Sequence, residues 1–180
     1  LSPEKGLTLL IDAARKTNVR LVSAGEGQCE KDLRARASER TQFLGRISPR
    51  SVRDWMANAR AVVVPSQCFE NAPMTVLEAM SQGAAVNTSN TTSLPEVAGD
   101  AGILVDTYDI GAILNGMQAL LDGRANRDEM RAKSLQRAAL FSSVGHRPPN
   151  AGGLQDWRGS GGGRPSSRAA PRATPSRRSR

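Results

Sequence analysis

The sequence predicts an α/β fold in which a mostly parallel sheet is covered by helices on both faces. Two observations carry this. Short apolar runs without helical period, such as Val19 to Ala24 and Ala61 to Val64, alternate with stretches whose apolar residues recur at helical spacing. Glycine, proline and serine punctuate the junctions between the two kinds of segment. In a sheet of this kind ligands bind outside the carboxyl ends of the strands.

From Leu7, the apolar positions Leu7, Leu10, Ile11 and Ala14 give a helix with one buried face, which Asn18 can end. A strand over Val19 to Ala24 closes on Gly25-Glu26-Gly27, a charged surface helix runs from Glu30 to Arg40, and Gln42 to Leu44 is the next strand. Ser48-Pro49 supplies an N-cap and a first-turn proline for a helix over Pro49 to Asn58 that leads into the strand Ala61 to Val64. Pro65-Ser66 ends that strand. A helix from Met74 to Gln82 buries Val76, Leu77 and Met80 and stops at Gly83, and Ala84 to Asn87 is a further strand. Ser93 to Glu96 has capping-box spacing for a short helix, Ile103 to Val105 is a strand, and Ile113, Leu114, Met117, Leu120 and Leu121 line a longer helix.

After Phe141 the composition changes. Residues 142–180 hold seven Gly, five Pro, seven Ser and eight Arg with almost no apolar periodicity, too little buried surface to offset ordering entropy, so they are expected to be disordered. The domain boundary is drawn there: 1–141 folded, 142–180 tail. Asn150 to Gln155 can be encoded by codons that read Thr-Leu-Ala-Val-Tyr in a shifted frame, so a frameshift just after Phe141 is the working hypothesis for the tail. Resequencing tests it; an unbroken frame in related copies of the locus would sink it.

The tail also explains the charge. The formal net charge is +8, yet residues 1–141 hold 17 Lys/Arg against 16 Asp/Glu, and the excess lies in the tail's arginines. A basic arm on nucleic acid or anionic lipid is the alternative use of the tail, but Trp157 is its only aromatic, so no nucleic-acid partner is expected. Cys29 and Cys68 form neither a disulfide framework nor a CxxC metal motif, and no run is long and apolar enough to span a membrane, which points to the cytoplasm. The chain opens on Leu1, inside a loop, and a segment ahead of it is expected.

The segment PSQCFENAPMTVLEAMSQG, residues 65–83, carries the chemistry. It sets Glu70 in a loop and Glu78 a turn into the helix that follows. Unpaired amides and the positive end of the helix dipole at Ala72 to Val76 make an anion cradle, and carboxylates beside it suit the hydroxyls of a sugar nucleotide. Spacing alone is weak, since two glutamates eight apart are common on solvated surfaces. Cys68 has no histidine in residues 1–141 to activate it and reads as a small loop residue. Gly25-Glu26-Gly27 lacks the third glycine of a dinucleotide fingerprint, position 30 being Glu30, so no NAD is predicted. Trp55 and Met56 read as core, and Glu96 as a cap.

The wording around the glutamates decides more. With SPEKG at 2–6, GEG at 25–27, FLG at 43–45, PS at 65–66, EAMSQG at 78–83 and SLPEVAGDAGILV at 93–105, the chain closely resembles the retaining GT-B glycosyltransferases over about residues 1–141. The resemblance implies the Rossmann-like, C-terminal donor-binding half of a GT-B fold, lacking its first strand, in an enzyme that transfers a hexosyl group from a UDP-, GDP- or ADP-sugar to a glycan or lipid acceptor. It assigns Lys5 to the donor diphosphate, Glu70 to the donor sugar and Glu78 to the ribose. Backbone groups at Ala72, Met74, Thr75 and Val76 would hold the phosphates, with Arg46, Ile47 and Gly25 around the base and donor cleft. No metal and no cofactor are expected, there being no Asp-x-Asp motif. The acceptor would be met by a separate N-terminal domain, with peripheral membrane association where it is a lipid. The family's arginine and strand ahead of the lysine loop are not among these residues, Ala85 replaces a usual proline, and Thr91-Thr92-Ser93 a glycine-bearing loop, so the fragment is expected to be inactive alone. A non-catalytic sugar-nucleotide-binding module is the rival reading.

Overall fold

The computed structural model describes residues 1–17, 19–68 and 73–141. The helix stop at Asn18 and the tail 142–180 therefore lie outside the described residues. The elements alternate as expected: α1 (Leu7–Thr17), β1 (Leu21–Ser23), α2 (Glu30–Arg36), β2 (Thr41–Phe43), α3 (Pro49–Asn58), β3 (Val62–Val64), α4 (Met74–Ser81), β4 (Val86–Ser89), α5 (Leu94–Ala98), β5 (Gly102–Val105), α6 (Ile110–Leu121) and α7 (Arg127–Phe141). A 3-10 turn, Pro3–Lys5, precedes α1, and another, Gly99–Ala101, follows α5.

Among the described residues every strand pairing is parallel. β1 pairs with β2, Val22 opposite Gln42, while β3, β4 and β5 form a second ladder in that order, with Val63 opposite Asn87 and Asn87 opposite Ile103. The strand period of two explains how both faces are covered. Val62 and Val64 of β3 pack with Met56, Val76, Met80, Leu94 and Ala138, from α3, α4, α5 and α7. Val63 between them packs with Leu10, Ala14, Ile113 and Met117, from α1 and α6, and with Leu21 of β1. Fully buried Met80, Leu94 and Ile113 each contribute about 1.5–3 kcal/mol of apolar transfer.

Four local expectations are corrected. The second helix stops at Arg36, not Arg40: Ala37 is extended, and Ser38 accepts from the Thr41 amide at 2.9 Å in a turn that starts β2. β4 continues to Ser89, past the apolar run. Asn87, Thr88 and Ser89 are fully buried, and hydrogen bonds rather than hydrophobicity accommodate two of them: Thr88 Oγ1 donates to Val64 O at 2.9 Å, and Ser89 Oγ lies 2.6 Å from Thr91 Oγ1. The capping box at α5 does not form, because Ser93 sits in the right-handed helical region and its side chain caps nothing, leaving Glu96 exposed and without its capping role. Trp55 is exposed, since the buried face of α3 runs through Val52 and Met56 and turns the intervening position outward. By contrast Ser48 caps α3 as expected, accepting from the Ser51 amide at 3.1 Å ahead of Pro49.

Helix α7 has no counterpart in the sequence reading. Its apolar face is weak, with only Met130 and Ser134 buried, so periodicity does not announce it. Polar contacts seat it instead. Ser134 Oγ donates to Ala84 O at 2.9 Å and Arg137 Nε to Val97 O at 3.1 Å, while Arg131 lies over Gly83. One signal was available: Asn126, three residues before Glu129, caps the helix by accepting from the amides of Asp128 and Glu129 at 3.1 and 3.2 Å.

Candidate functional site

Parallel strands deliver their loops to one edge, and the candidate residues gather in two clusters there. The first is built on the turns after β1 and β2. The Gly25 amide donates to Gly45 O at 2.8 Å, and the exposed Arg46 donates through its amide to Glu26 Oε1 at 3.4 Å; Ile47 beside it is half-buried. The structure thus brings Gly25, Arg46 and Ile47 together. Gly25 and Gly45 both have positive φ, 119° and 63°, a backbone region in which L side chains are rare.

The second cluster surrounds Lys5. The 3-10 turn that carries it ends on Gly6, whose φ of 66° and position against β3 leave no room for a side chain: a Cβ there would fall 2.0 Å from Pro65 O. Lys5 Nζ lies 3.9 Å from Cys68 Sγ, which is 3.3 Å from Ser66 Oγ. Ser2 Oγ donates to Glu4 Oε1 at 2.5 Å, and this contact, followed by Glu4's own amide, holds the Glu4 carboxyl below the usual carboxylate range. Leu1 joins the two clusters, its nitrogen donating to Glu26 O and its carbonyl accepting from the Cys29 amide at 3.1 Å.

Helix α4 opens at the same edge, after the loop that follows β3. Met74 and Thr75 are exposed, and as first-turn residues their amides have no intrahelical carbonyl to reach. Val76 differs. Its side chain is fully buried and its amide already donates to Pro73 O at 3.0 Å. Glu78 is exposed, and among the described residues its carboxylate makes no hydrogen bond or ion pair to the other candidates. Glu70 and Ala72 lie outside the described residues. Electrostatically the edge combines the Lys5 ammonium with the positive end of a helix, an arrangement that stabilises an anion.

Sequence reasoning passed over Gln67, which ties its own loop to two others. Its amide donates to Glu4 O at 2.8 Å, its Nε2 to Thr107 O at 2.8 Å, and its carbonyl accepts from Tyr108 Oη at 3.3 Å. No local pattern marks it, because all three partners are distant in sequence. A separate surface groove of about 390 Å³, lined by Arg20, Glu39, Arg40, Thr41 and Gln42, lies where β2 begins, away from this edge. Among the described residues no three His, Cys, Asp or Glu side chains are grouped to hold a metal, and no helix is long and apolar enough to cross a membrane.

The family model for glycosyl transferases group 1 matches residues 1–137. The chain belongs to this family. Within it, the chain is 39% identical over 101 residues to the O-antigen chain mannosyltransferase B of Escherichia coli, covering 56% of this chain and 26% of that protein. It is 31% identical over 147 residues to the phosphatidyl-myo-inositol mannosyltransferase of Mycolicibacterium smegmatis, covering 76% of this chain and 37% of that one. The chain thus spans well under half the length of these curated relatives. In structure it is similar to the catalytic domain of cholesterol-alpha-glucosyltransferase from Helicobacter pylori (TM-score 0.70, 20% identity, covering 78% of this chain and 93% of that chain). It is equally similar to Anabaena HepE in complex with UDP (TM-score 0.70, 21% identity, 78% and 42% covered). The group 1 chain thus has a Rossmann-like α/β fold of the GT-B type, with parallel strands and helices on both sides.

Proposed function

We propose that this group 1 glycosyltransferase domain binds a nucleotide-diphosphate sugar at the carboxyl edge of its sheet, as the donor half of a retaining hexosyltransferase. The observation that carries the reading is the convergence of the Gly25–Gly45 turn pair, the Lys5 turn and the start of α4 on one edge. In this reading Arg46, Ile47 and Gly25 border the base, Glu78 takes the ribose hydroxyls, and Lys5 with the Met74 and Thr75 amides meets the diphosphate. The resemblance adds Ala72 to the phosphates and Glu70 to the sugar, both outside the described residues, whereas the Val76 amide, already engaged by Pro73 O, is left out of the cradle.

Transfer then follows from charge. The acceptor hydroxyl forms a bond to the anomeric carbon on the face from which the nucleotide departs, and the glycosidic bond to the diphosphate breaks with its electron pair going to the phosphate oxygen. That oxygen takes the acceptor's proton, and Lys5 stabilises the negative charge that builds on it. No metal or cofactor is invoked. The acceptor, a glycan or lipid, would be presented by a second domain, and the setting is cytoplasmic. UDP is the first donor base to try, since HepE is described in complex with UDP and with UDP-glucose.

Titration calorimetry of the chain with UDP, GDP and ADP and their sugars tests this. One of the three series binds, and Glu78→Ala weakens it by about 1.5–3 kcal/mol, the scale for hydrogen bonds to a charged group. An affinity indifferent to Glu78→Ala removes this residue from the ribose; binding by none of the series removes the donor site.

A further inference from the structure

We propose that Gln67 is a positioning residue for Lys5, acting as the peg that sets the lysine turn against the loop leading to α4. The inference rests on the donor-site reading for its consequence, but not for its geometry. The amide of Gln67 holds the carbonyl of Glu4, the residue directly before Lys5, at 2.8 Å. Its side chain reaches the other way: Nε2 donates to Thr107 O at 2.8 Å, in the loop after β5, and Tyr108 Oη closes the triangle on Gln67 O at 3.3 Å. The Gln67 Cγ also stands 3.3 Å from where a Cβ of Gly6 would be, just past Lys5.

The side-chain anchor is rigid. Thr107 is fully buried, so its carbonyl marks a fixed point at the carboxyl end of β5. Gln67 is half-buried and lies outside the three apolar clusters, so its bonds hold loops rather than core. A methionine at this position would fill the same space without the donor to Thr107 O, and the loop would lose its anchor. Lys5 would lose its register with Cys68, next along the loop and 3.9 Å from its ammonium.

A readout that does not depend on donor binding is amide exchange in the lysine turn, where the Lys5 amide donates to Ser2 O and the Gln67 amide to Glu4 O. The test compares Gln67→Met, Tyr108→Phe and Lys5→Ala in the full chain, with exchange at the Lys5, Gly6 and Gln67 amides followed by NMR, UDP affinity by calorimetry and folding by thermal melting. Gln67→Met keeps the size and charge of the side chain but cannot donate to Thr107 O; it is expected to raise exchange at these amides and to weaken UDP by about tenfold, the cost of displacing one charge-assisted contact. Adding Gln67→Met to Lys5→Ala then weakens UDP no further than Lys5→Ala alone. Tyr108→Phe, which removes only a hydroxyl, gives a smaller change in the same direction and covers the case in which the methionine variant fails to fold.

Amide exchange unchanged in Gln67→Met or in a folded Tyr108→Phe, or UDP losses that add fully to those of Lys5→Ala, overturns the proposal. Absence of UDP binding by the unsubstituted chain overturns the donor-site reading instead, and amide exchange in the lysine turn still decides the role of Gln67.

Discussion

Gly6 and Thr92 both stand at positive φ, and they are opposite cases. At Gly6 the left-handed backbone coincides with a Cβ position 2.0 Å from Pro65 O, so no rotamer choice relieves an added methyl. Gly6→Ala is therefore expected to cost about 1–3 kcal/mol, the range for enforced backbone strain, read from urea unfolding. Thr92, with φ of 59°, is the sole non-glycine in this region among the described residues, in the loop where the sequence reading noted that a usual glycine is replaced. Thr92→Gly relieves about 1–2 kcal/mol of left-handed strain and gives back about 0.5–1 kcal/mol in chain entropy, so unfolding should show a gain of up to about 1.5 kcal/mol. Glu4 supplies the pH dependence. Its carboxyl pKa is lowered chiefly by Ser2, so the stabilising contact is complete above the ordinary carboxylate pKa and is lost as pH falls through the lowered one. A carboxyl NMR titration should find the Glu4 pKa moved up in Ser2→Ala; being fully exposed, it will change global stability little.

Helices show why some elements were legible and one was not. α3 is written in its sequence: a serine cap, a proline after it and Val52 and Met56 one turn apart, all within ten residues. α6 is equally local, with Asp109 capping through the Gly111 amide at 2.7 Å and Ile113, Met117 and Leu120 buried. α7 buries only Met130 of its apolar residues, and its polar partners, Ala84, Val97 and the surface of Gly83, are some forty to fifty positions away. Its stability rests on cap and polar contacts, which yields two expectations. Asn126→Ala should cost about 1 kcal/mol through loss of the cap. Ser134→Ala, which strips the buried Ala84 carbonyl of this donor, should cost about 1–3 kcal/mol. Amide exchange along α7 checks both, since protection should fall there before it falls in α1 or α6.

For the molecule as a whole, donor binding should appear as stability. UDP at about one hundred times its dissociation constant adds about 2.7 kcal/mol to a protein that binds it only when folded, and thermal melting should record the rise with UDP and none with NAD. The alternation of strands and helices and the parallel pairing with two covered faces were determined by the sequence, because alternating period and turn chemistry are local and each strand-to-helix transition repeats them. The family wording nominates Lys5, Gly25, Arg46 and Glu78 for the proposed donor site, since short motifs keep their residues adjacent. Tertiary structure alone decided that β4 would run on through buried Asn87, Thr88 and Ser89, that α7 would close over α4 and α5, and that Gln67 would link three loops. Thr88, Ser134 and Gln67 depend on hydrogen-bond partners brought close only by folding, whereas the side-chain polar atoms of Asn87 are buried without one among the described residues; a buried polar group is tolerated or costly according to such partners, which no local pattern records.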